Sequence, residues 1–321
     1  MTECERLVAE GILDASFFEE EVRCGFKVDK ERKKIWAVEL ALLLEVDRIC
    51  KKYGLKYYLW SGTLLGAIRH NGFIPWDDDM DLLMFRDDYD RLMAHADEFR
   101  KPYFLQTPLT DPEAGYSHIK IRDCNTTAFN KLWGYRNYNQ GIYIDIFPLD
   151  DKCDQEAEER FSQIKDREIE SSLYMKMASP YKNGRDIERI ANRSFHSLAD
   201  NFICIQELAT NYRNPGSADM LRWIATPFND AMRAVYQRSD FDETVLVKYE
   251  GFSFPVPGGY EKILTKMYGN YMEFPPVEKR VNKHAHTVFD ADIPYTEFKK
   301  PENVEEDEYY KVYSEYGRNK G

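Results

Sequence analysis

Trp60-Ser61-Gly62-Thr63-Leu64-Leu65-Gly66-Ala67-Ile68-Arg69-His70 is followed, across Asn71-Gly72-Phe73-Ile74-Pro75-Trp76, by Asp77-Asp78-Asp79-Met80-Asp81-Leu82-Leu83-Met84-Phe85. Tyr57, Tyr58 and Leu59 suit a pleated, half-buried surface, so Lys56 to Trp60 reads as a short strand. Ser61 is the N-cap candidate of a helix that runs to His70. After the Asn71-Gly72 turn, Asp77 to Phe85 reads as a second strand. Residues two apart on a strand share a face, so Asp77, Asp79 and Asp81 are expected in one acidic row while Met80 and Leu82 point to the core. Like charges in a row repel, and a divalent cation relieves them. Carboxylate oxygens favour magnesium, manganese or calcium over zinc.

Gly141-Ile142-Tyr143-Ile144-Asp145-Ile146-Phe147 repeats the same signal, an acid inside an apolar strand. A buried carboxylate without a partner is costly. If this strand lies beside the first, Asp145 completes a site able to hold metal for in-line displacement at phosphorus. Ser61-Gly62-Thr63, a helix start with little side-chain bulk, suits a phosphate. Metal and helix start together would clamp a pyrophosphate. His118, Lys120 and Arg122 alternate with Ile119 and Ile121, so they share one strand face as cations for phosphate charge or as ordinary salt-bridge partners. Arg69 is a further phosphate candidate, although its position at the helix end also suits the helix dipole.

Further out, Ile35, Val38, Leu42, Val46 and Ile49 recur at helical spacing from Asp29 to Tyr53, with Gly54 as the stop. A helix is expected from Asp87 to Arg100, with strands at Tyr103–Gln106 and Tyr116–Arg122. The resulting organisation is an N-terminal extension (1–29), a catalytic core (30–153), a helical subdomain (154–240), a C-terminal part of the catalytic region (241–300) and an acidic tail (301–321). In that part, Thr244–Pro257 reads as strand and Tyr260–Tyr268 as a helix closed by Gly269. The fold class is α+β, a mixed sheet flanked by helices.

The chain has 321 residues, 43% of them hydrophobic, enough for a substantial core. Its net charge of -12 argues against general nucleic-acid binding. An anionic ligand then needs local help, from a cation on the carboxylates or from the basic segment Lys279 to His286. No stretch approaches the length of a membrane helix, and Met1 to Arg6 is charged where a signal peptide would be apolar, so a cytoplasmic location is expected. The six cysteines form no CxxC pair and read as reduced structural thiols.

Trp60 to His70 followed by Gly72-Phe73-Ile74-Pro75-Trp76-Asp77-Asp78-Asp79-Met80-Asp81 resembles the signature of the LicD family, bacterial relatives of fukutin-related protein. Ile144-Asp145-Ile146-Phe147-Pro148-Leu149-Asp150, Tyr268-Gly269-Asn270-Tyr271-Met272 before Pro275-Pro276, and His284-Ala285-His286 extend the resemblance over roughly residues 30–295. It implies a nucleotidyltransferase-type fold that transfers phosphocholine, or a related phospho-alcohol such as ribitol phosphate, from a CDP-linked donor such as CDP-choline. The acceptor would be a hydroxyl of a surface glycan or teichoic acid precursor, and CMP would leave.

On this resemblance Asp79, Asp81 and Asp145 hold Mg2+, with Mn2+ as its substitute, and Asp77 is a further ligand. Asp145 lowers the proton affinity of the acceptor, as base or through the metal. Ser61, Gly62, Thr63, Arg69, Lys120 and Arg122 bind the nucleotide or phosphate. A quaternary ammonium is held by aromatic faces, for which Trp76, Trp133, Tyr135, Tyr138 and Tyr143 are candidates. His284 and His286 are candidates for an anionic acceptor; a lipid-linked one would draw the protein to the inner membrane face. An Asp-x-Asp glycosyltransferase is the alternative, but it leaves Asp145 and the glycine-started helix unexplained. A non-catalytic nucleotide-binding module would predict incomplete carboxylates.

Overall fold

The computed structural model describes residues 2–114, 116, 118–130, 137–152, 220–223, 235–281 and 287–298, with isolated positions 159, 163, 200, 202–204 and 207. In chain order come α1 (Glu3–Ala9), the hairpin β1 (Glu21–Arg23) and β2 (Phe26–Val28), α2 (Lys30–Tyr53), β3 (Tyr58–Leu59), α3 (Ser61–His70) and β4 (Asp81–Phe85). Then follow α4 (Arg86–Ala94), β5 (Tyr103–Gln106), β6 (Ile119–Asp123), β7 (Thr127–Asn130) and β8 (Ile142–Asp151). The remaining elements are β9 (Met220–Trp223), β10 (Val235–Gln237), β11 (Thr244–Tyr249), β12 (Phe252–Pro257), α5 (Tyr260–Tyr268) and β13 (Thr287–Asp290).

A mixed seven-stranded sheet organises these elements into an α+β fold, with the long β8 at its centre. On one edge β8 pairs in parallel with β4, and β3 completes that side antiparallel to β4. On its other edge β8 pairs antiparallel with β6 along its first half and with β9 along its second. β5 extends β6, and β10 extends β9. β11 with β12 and β7 with β13 form separate hairpin-like pairs.

Helix α2 packs on β8 and β6. Its start is capped by the Asp29 carboxylate, which accepts from Arg32 N at 2.9 Å, and its end by Gly54 at φ 63°. Trp36, Val38, Leu40, Leu42, Leu43, Val46 and Ile49 are fully buried along it. Each such side chain contributes about 1.5–3 kcal/mol on leaving water. Buried Arg86 ties α4 to β8 through a forked contact to Asp150, Nε–Oδ1 2.7 Å and Nη2–Oδ2 2.9 Å.

Several elements depart from the sequence expectation. The acidic strand begins only at Asp81, because a turn at Pro75–Trp76, closed by Asp77 N on Ile74 O at 3.0 Å, leads into an irregular stretch through Met80. The helix expected from Asp87 to Arg100 ends at Ala94 and continues as a 3-10 turn over Ala96–Glu98. The span expected as a helical subdomain contributes β9 and β10 to the central sheet, and most of its remaining residues lie outside the described set. The tail at 301–321 lies outside it too.

Candidate active site

The site forms where α3, the loop Asp77–Met80, β4 and β8 meet. Trp60 is extended and Ser61 adopts φ 48°, so the helix N-cap is Trp60 rather than Ser61. The Ser61 hydroxyl does not cap the helix; it bonds the Tyr268 hydroxyl of α5 at 3.1 Å. Thr63 Oγ1 accepts from Asp81 N at 2.8 Å and so pins the first turn of α3 to the start of β4. Gly62 has a steric reason: a Cβ there would stand 2.7 Å from Asp77 Oδ2. Glycine lets the Asp77 carboxylate lie against the helix start without being displaced.

The expected acidic row is a loop cluster followed by a strand residue. Asp77, Asp78 and Asp79 bring carboxylate oxygens within 4.8 Å of one another, so Asp78, which alternation would turn away from the site, joins Asp77 and Asp79. Asp77 is fixed from below, its carbonyl accepting from Arg32 Nη1 at 2.7 Å and from Trp36 Nε1 at 3.4 Å. Asp81 opens β4 and lies directly opposite Asp145 of β8 in parallel register. Neighbouring strands stand about 4.8 Å apart, so these two acids are adjacent. Asp145 N also donates to Met80 O at 2.8 Å, which fixes that register at the site.

The two acids differ in electrostatics. Burial, then the charges of Asp79, Asp145 and Asp77, push the Asp81 carboxyl well above the usual carboxylate range. Burial alone would do the same to Asp145, but Lys120 and His118 override it and hold Asp145 well below that range. Asp145 Oδ1 accepts from His118 Nε2 at 2.9 Å and from Lys120 Nζ. This follows from the antiparallel register of β6, which sets Lys120 directly across from Asp145.

Other candidates turn out otherwise. Arg122 is 1% exposed and spends its donors on Gln106 Oε1 and on Gly141 O, so it is an internal brace rather than a phosphate contact. Arg69 binds the carbonyls of Tyr271 and Glu273 at 2.8 and 3.1 Å. It stands about 10 Å along the helix from Gly62, away from the phosphate end. Tyr138, Tyr143 and Trp76 are buried and already carry protein cations. Lys120 Nζ lies 3.7 Å from the Tyr143 centroid, Arg122 Cζ 5.9 Å from that of Tyr138, and Arg280 Cζ 5.1 Å from that of Trp76. Trp133, Tyr135, His284 and His286 lie outside the described residues.

The carboxylate-only donor set and the space that Gly62 leaves for Asp77 fit a hard divalent cation. One further acid escaped the sequence reading: Glu39 of α2, buried beneath the loop. It is the lone charge in Ile35-Trp36-Ala37-Val38-Glu39-Leu40-Ala41-Leu42-Leu43-Leu44, the same cue that singles out Asp145.

The start of α3, with Gly62 against Asp77, thus packs beside paired acids on adjacent strands of a mixed sheet. Residues 54–183 match the family described as LicD/FKTN/FKRP, nucleotidyltransferase domain. The chain is 28% identical over 259 residues to Lipopolysaccharide cholinephosphotransferase LicD of Haemophilus influenzae, covering 75% of this chain and 91% of that protein. It is 38% identical over 109 residues to Uncharacterized protein RP689 of Rickettsia prowazekii, 34% of this chain and 38% of that one. A segment of 35 residues is 51% identical to human Ribitol 5-phosphate transferase FKRP, 11% of this chain and 7% of that protein. Among the described residues no helix is long and apolar enough to cross a membrane.

Proposed function

We propose that this protein is a phosphotransferase that moves phosphocholine from CDP-choline to a hydroxyl of a surface glycan or its lipid-linked precursor, releasing CMP. The observation that carries the reading is Asp81 set opposite Asp145 beside the Asp77–Asp79 loop and the Gly62 helix start. The name of the Haemophilus relative, which is similar over most of both chains, supports phosphocholine as the passenger.

Asp79, Asp81 and Asp145, with Asp77, would hold magnesium, which neutralises phosphate charge and supports in-line displacement. His118 and Lys120 keep Asp145 ionised and oriented, so Asp145 serves as a fixed anion and is a poor proton acceptor. Thr63 holds Asp81 in place through its backbone. The first turn of α3 offers backbone N–H groups beside Asp77 for a phosphate oxygen. Most of the rate then comes from position and charge. A lipid-linked acceptor would be met at the cytoplasmic face of the membrane.

The test is CMP release from CDP-choline, CDP-ethanolamine, CDP-ribitol and a sugar nucleotide, with and without magnesium, for wild type and Asp81→Asn. Magnesium-dependent release selective for CDP-choline and lost in the variant is the expected result. Release from the sugar nucleotide alone would replace the reading with a glycosyltransferase, and binding without turnover on suitable acceptors would replace it with a binding module.

A further inference from the structure

β11 and β12 pair with Tyr249 opposite Phe252, so their hairpin turns on Glu250 and Gly251, at φ 45° and 87°. A turn left-handed at both positions favours asparagine, aspartate or glycine at the first. Glutamate there needs another reason. Its side chain is 8% exposed and leaves the hairpin tip for the loop between α3 and β4. Oε1 accepts from Phe73 N at 3.0 Å, and Glu250 N donates to Asn71 O at 2.9 Å. Arg23 of the β1–β2 hairpin grips both carboxylate oxygens, Nη1 on Oε1 and Nη2 on Oε2. Gly72 leaves room for this contact, since a Cβ there would overlap Glu250 Oε1.

From Phe73 and Arg23 the contacts run to the acidic loop. Phe73 stacks on Trp36 with centroids 4.7 Å apart and planes 4° from parallel, and Arg23 Cζ lies 5.2 Å from the Trp36 centroid. Trp36 Nε1 donates to Asp77 O at 3.4 Å. The turn closed by Asp77 N on Ile74 O fixes the span from Phe73 to Asp77.

We propose that Glu250 is a positioning residue for the acidic loop: through Phe73 N, and through Arg23 and Trp36, it sets where the carboxylates of Asp77, Asp78 and Asp79 stand. It touches neither substrate nor ion. The role rests on the assignment of that loop to the divalent-cation site under the proposed function. Metal ligands tolerate little misplacement, so a hairpin remote in sequence governs the affinity of the site.

The experiment uses the full chain, freed of metal by chelation and held well below its Tm. Mn2+ affinity is read from the loss of the free-ion resonance, and amide exchange of residues 72–80 is followed by mass spectrometry without metal. Glu250→Ala is expected to weaken Mn2+ binding about ten- to a hundredfold and to speed exchange at 72–80. Gly72→Ala, which displaces the Glu250 side chain without altering it, should do the same. Glu250→Gln keeps an oxygen for Phe73 N while weakening the ion pair with Arg23, so its Tm falls but its Mn2+ affinity stays close to that of wild type. A merely structural role would make affinity follow Tm in all three variants.

Wild-type Mn2+ affinity in Glu250→Ala would overturn the proposal, as would Glu250→Gln losing as much affinity as Glu250→Ala. If Glu250→Ala does not fold, Gly72→Ala decides the matter in the same assay. A wild-type chain that binds no Mn2+ removes the cation site itself. Faster exchange at 72–80 in Glu250→Ala would then still establish what Glu250 holds, and unchanged exchange would remove both.

Discussion

Asp81 and Asp145 face one another across parallel strands, yet Asp145 carries Lys120 and His118 while Asp81 is surrounded by like charge. Neutralising each therefore has opposite consequences for the fold. In chelated buffer, Asp145→Asn strands the buried Lys120 charge and is expected to lower the unfolding free energy by about 3–5 kcal/mol. Asp81→Asn relieves repulsion and is expected to raise it by roughly 1 kcal/mol, the scale of one pKa unit. Urea unfolding of both variants checks this; equal losses in the two would contradict the asymmetry.

Gly62 marks a point where catalysis and stability separate. A methyl group at this position meets the far end of the Asp77 side chain rather than backbone. Gly62→Ala should therefore displace the carboxylate while the helix persists, since alanine favours helix over glycine by about 1 kcal/mol. The expected outcome is CMP release slowed about a hundredfold, as for an ångström-scale misplacement, with an unfolding midpoint close to that of wild type. Unchanged kcat in the purified variant would show that the loop and the helix start are not coupled.

Much of this arrangement was readable in the residues. The apolar run Leu82-Leu83-Met84 after Asp81 and the apolar flanks of Asp145 mark strands, and the strands proved adjacent. The helix from Lys30 to Tyr53 declared both ends through Asp29 and Gly54. What alternation could not show was that Pro75 and the Ile74–Asp77 turn delay the strand to Asp81, which gathers Asp78 into the cluster. Cross-strand register was also hidden. The pairing of Lys120 with Asp145, and the burial of Arg122 on Gln106 and Gly141, depend on which strand neighbours which. The cations on the Tyr143 face were hidden for a related reason, because a sequence does not say which cation a tyrosine face already holds.

Arg86 and Asp150 test the role of β8 as the central strand. Their forked contact is buried on both sides, so removing one partner leaves an uncompensated charge. Arg86→Ala should cost about 3–5 kcal/mol, whereas replacing both with well-packed apolar residues should recover much of that loss. A double-mutant cycle by urea unfolding measures it; additive losses would show that the two side chains are not energetically linked.

Asp123 gives the fold a pH dependence of its own. It is fully buried at the end of β6, where Oδ1 accepts from Asn125 N at 2.8 Å, and burial pushes its carboxyl up from 3.8 to about 7. Below about pH 4 both folded and unfolded chains carry the proton, and the contribution of this group to stability is complete. Between about pH 4 and 7 the unfolded chain ionises while the folded one resists, so the contribution falls; above about pH 7 it is gone. The loss is on the order of 2–4 kcal/mol across that window. Asp123→Asn keeps an acceptor for Asn125 without the charge, so its stability should exceed that of wild type at about pH 8 and approach it at about pH 5. Urea unfolding of both proteins across that range is the measurement, and parallel curves would mean that Asp123 is already ionised at low pH in the folded chain.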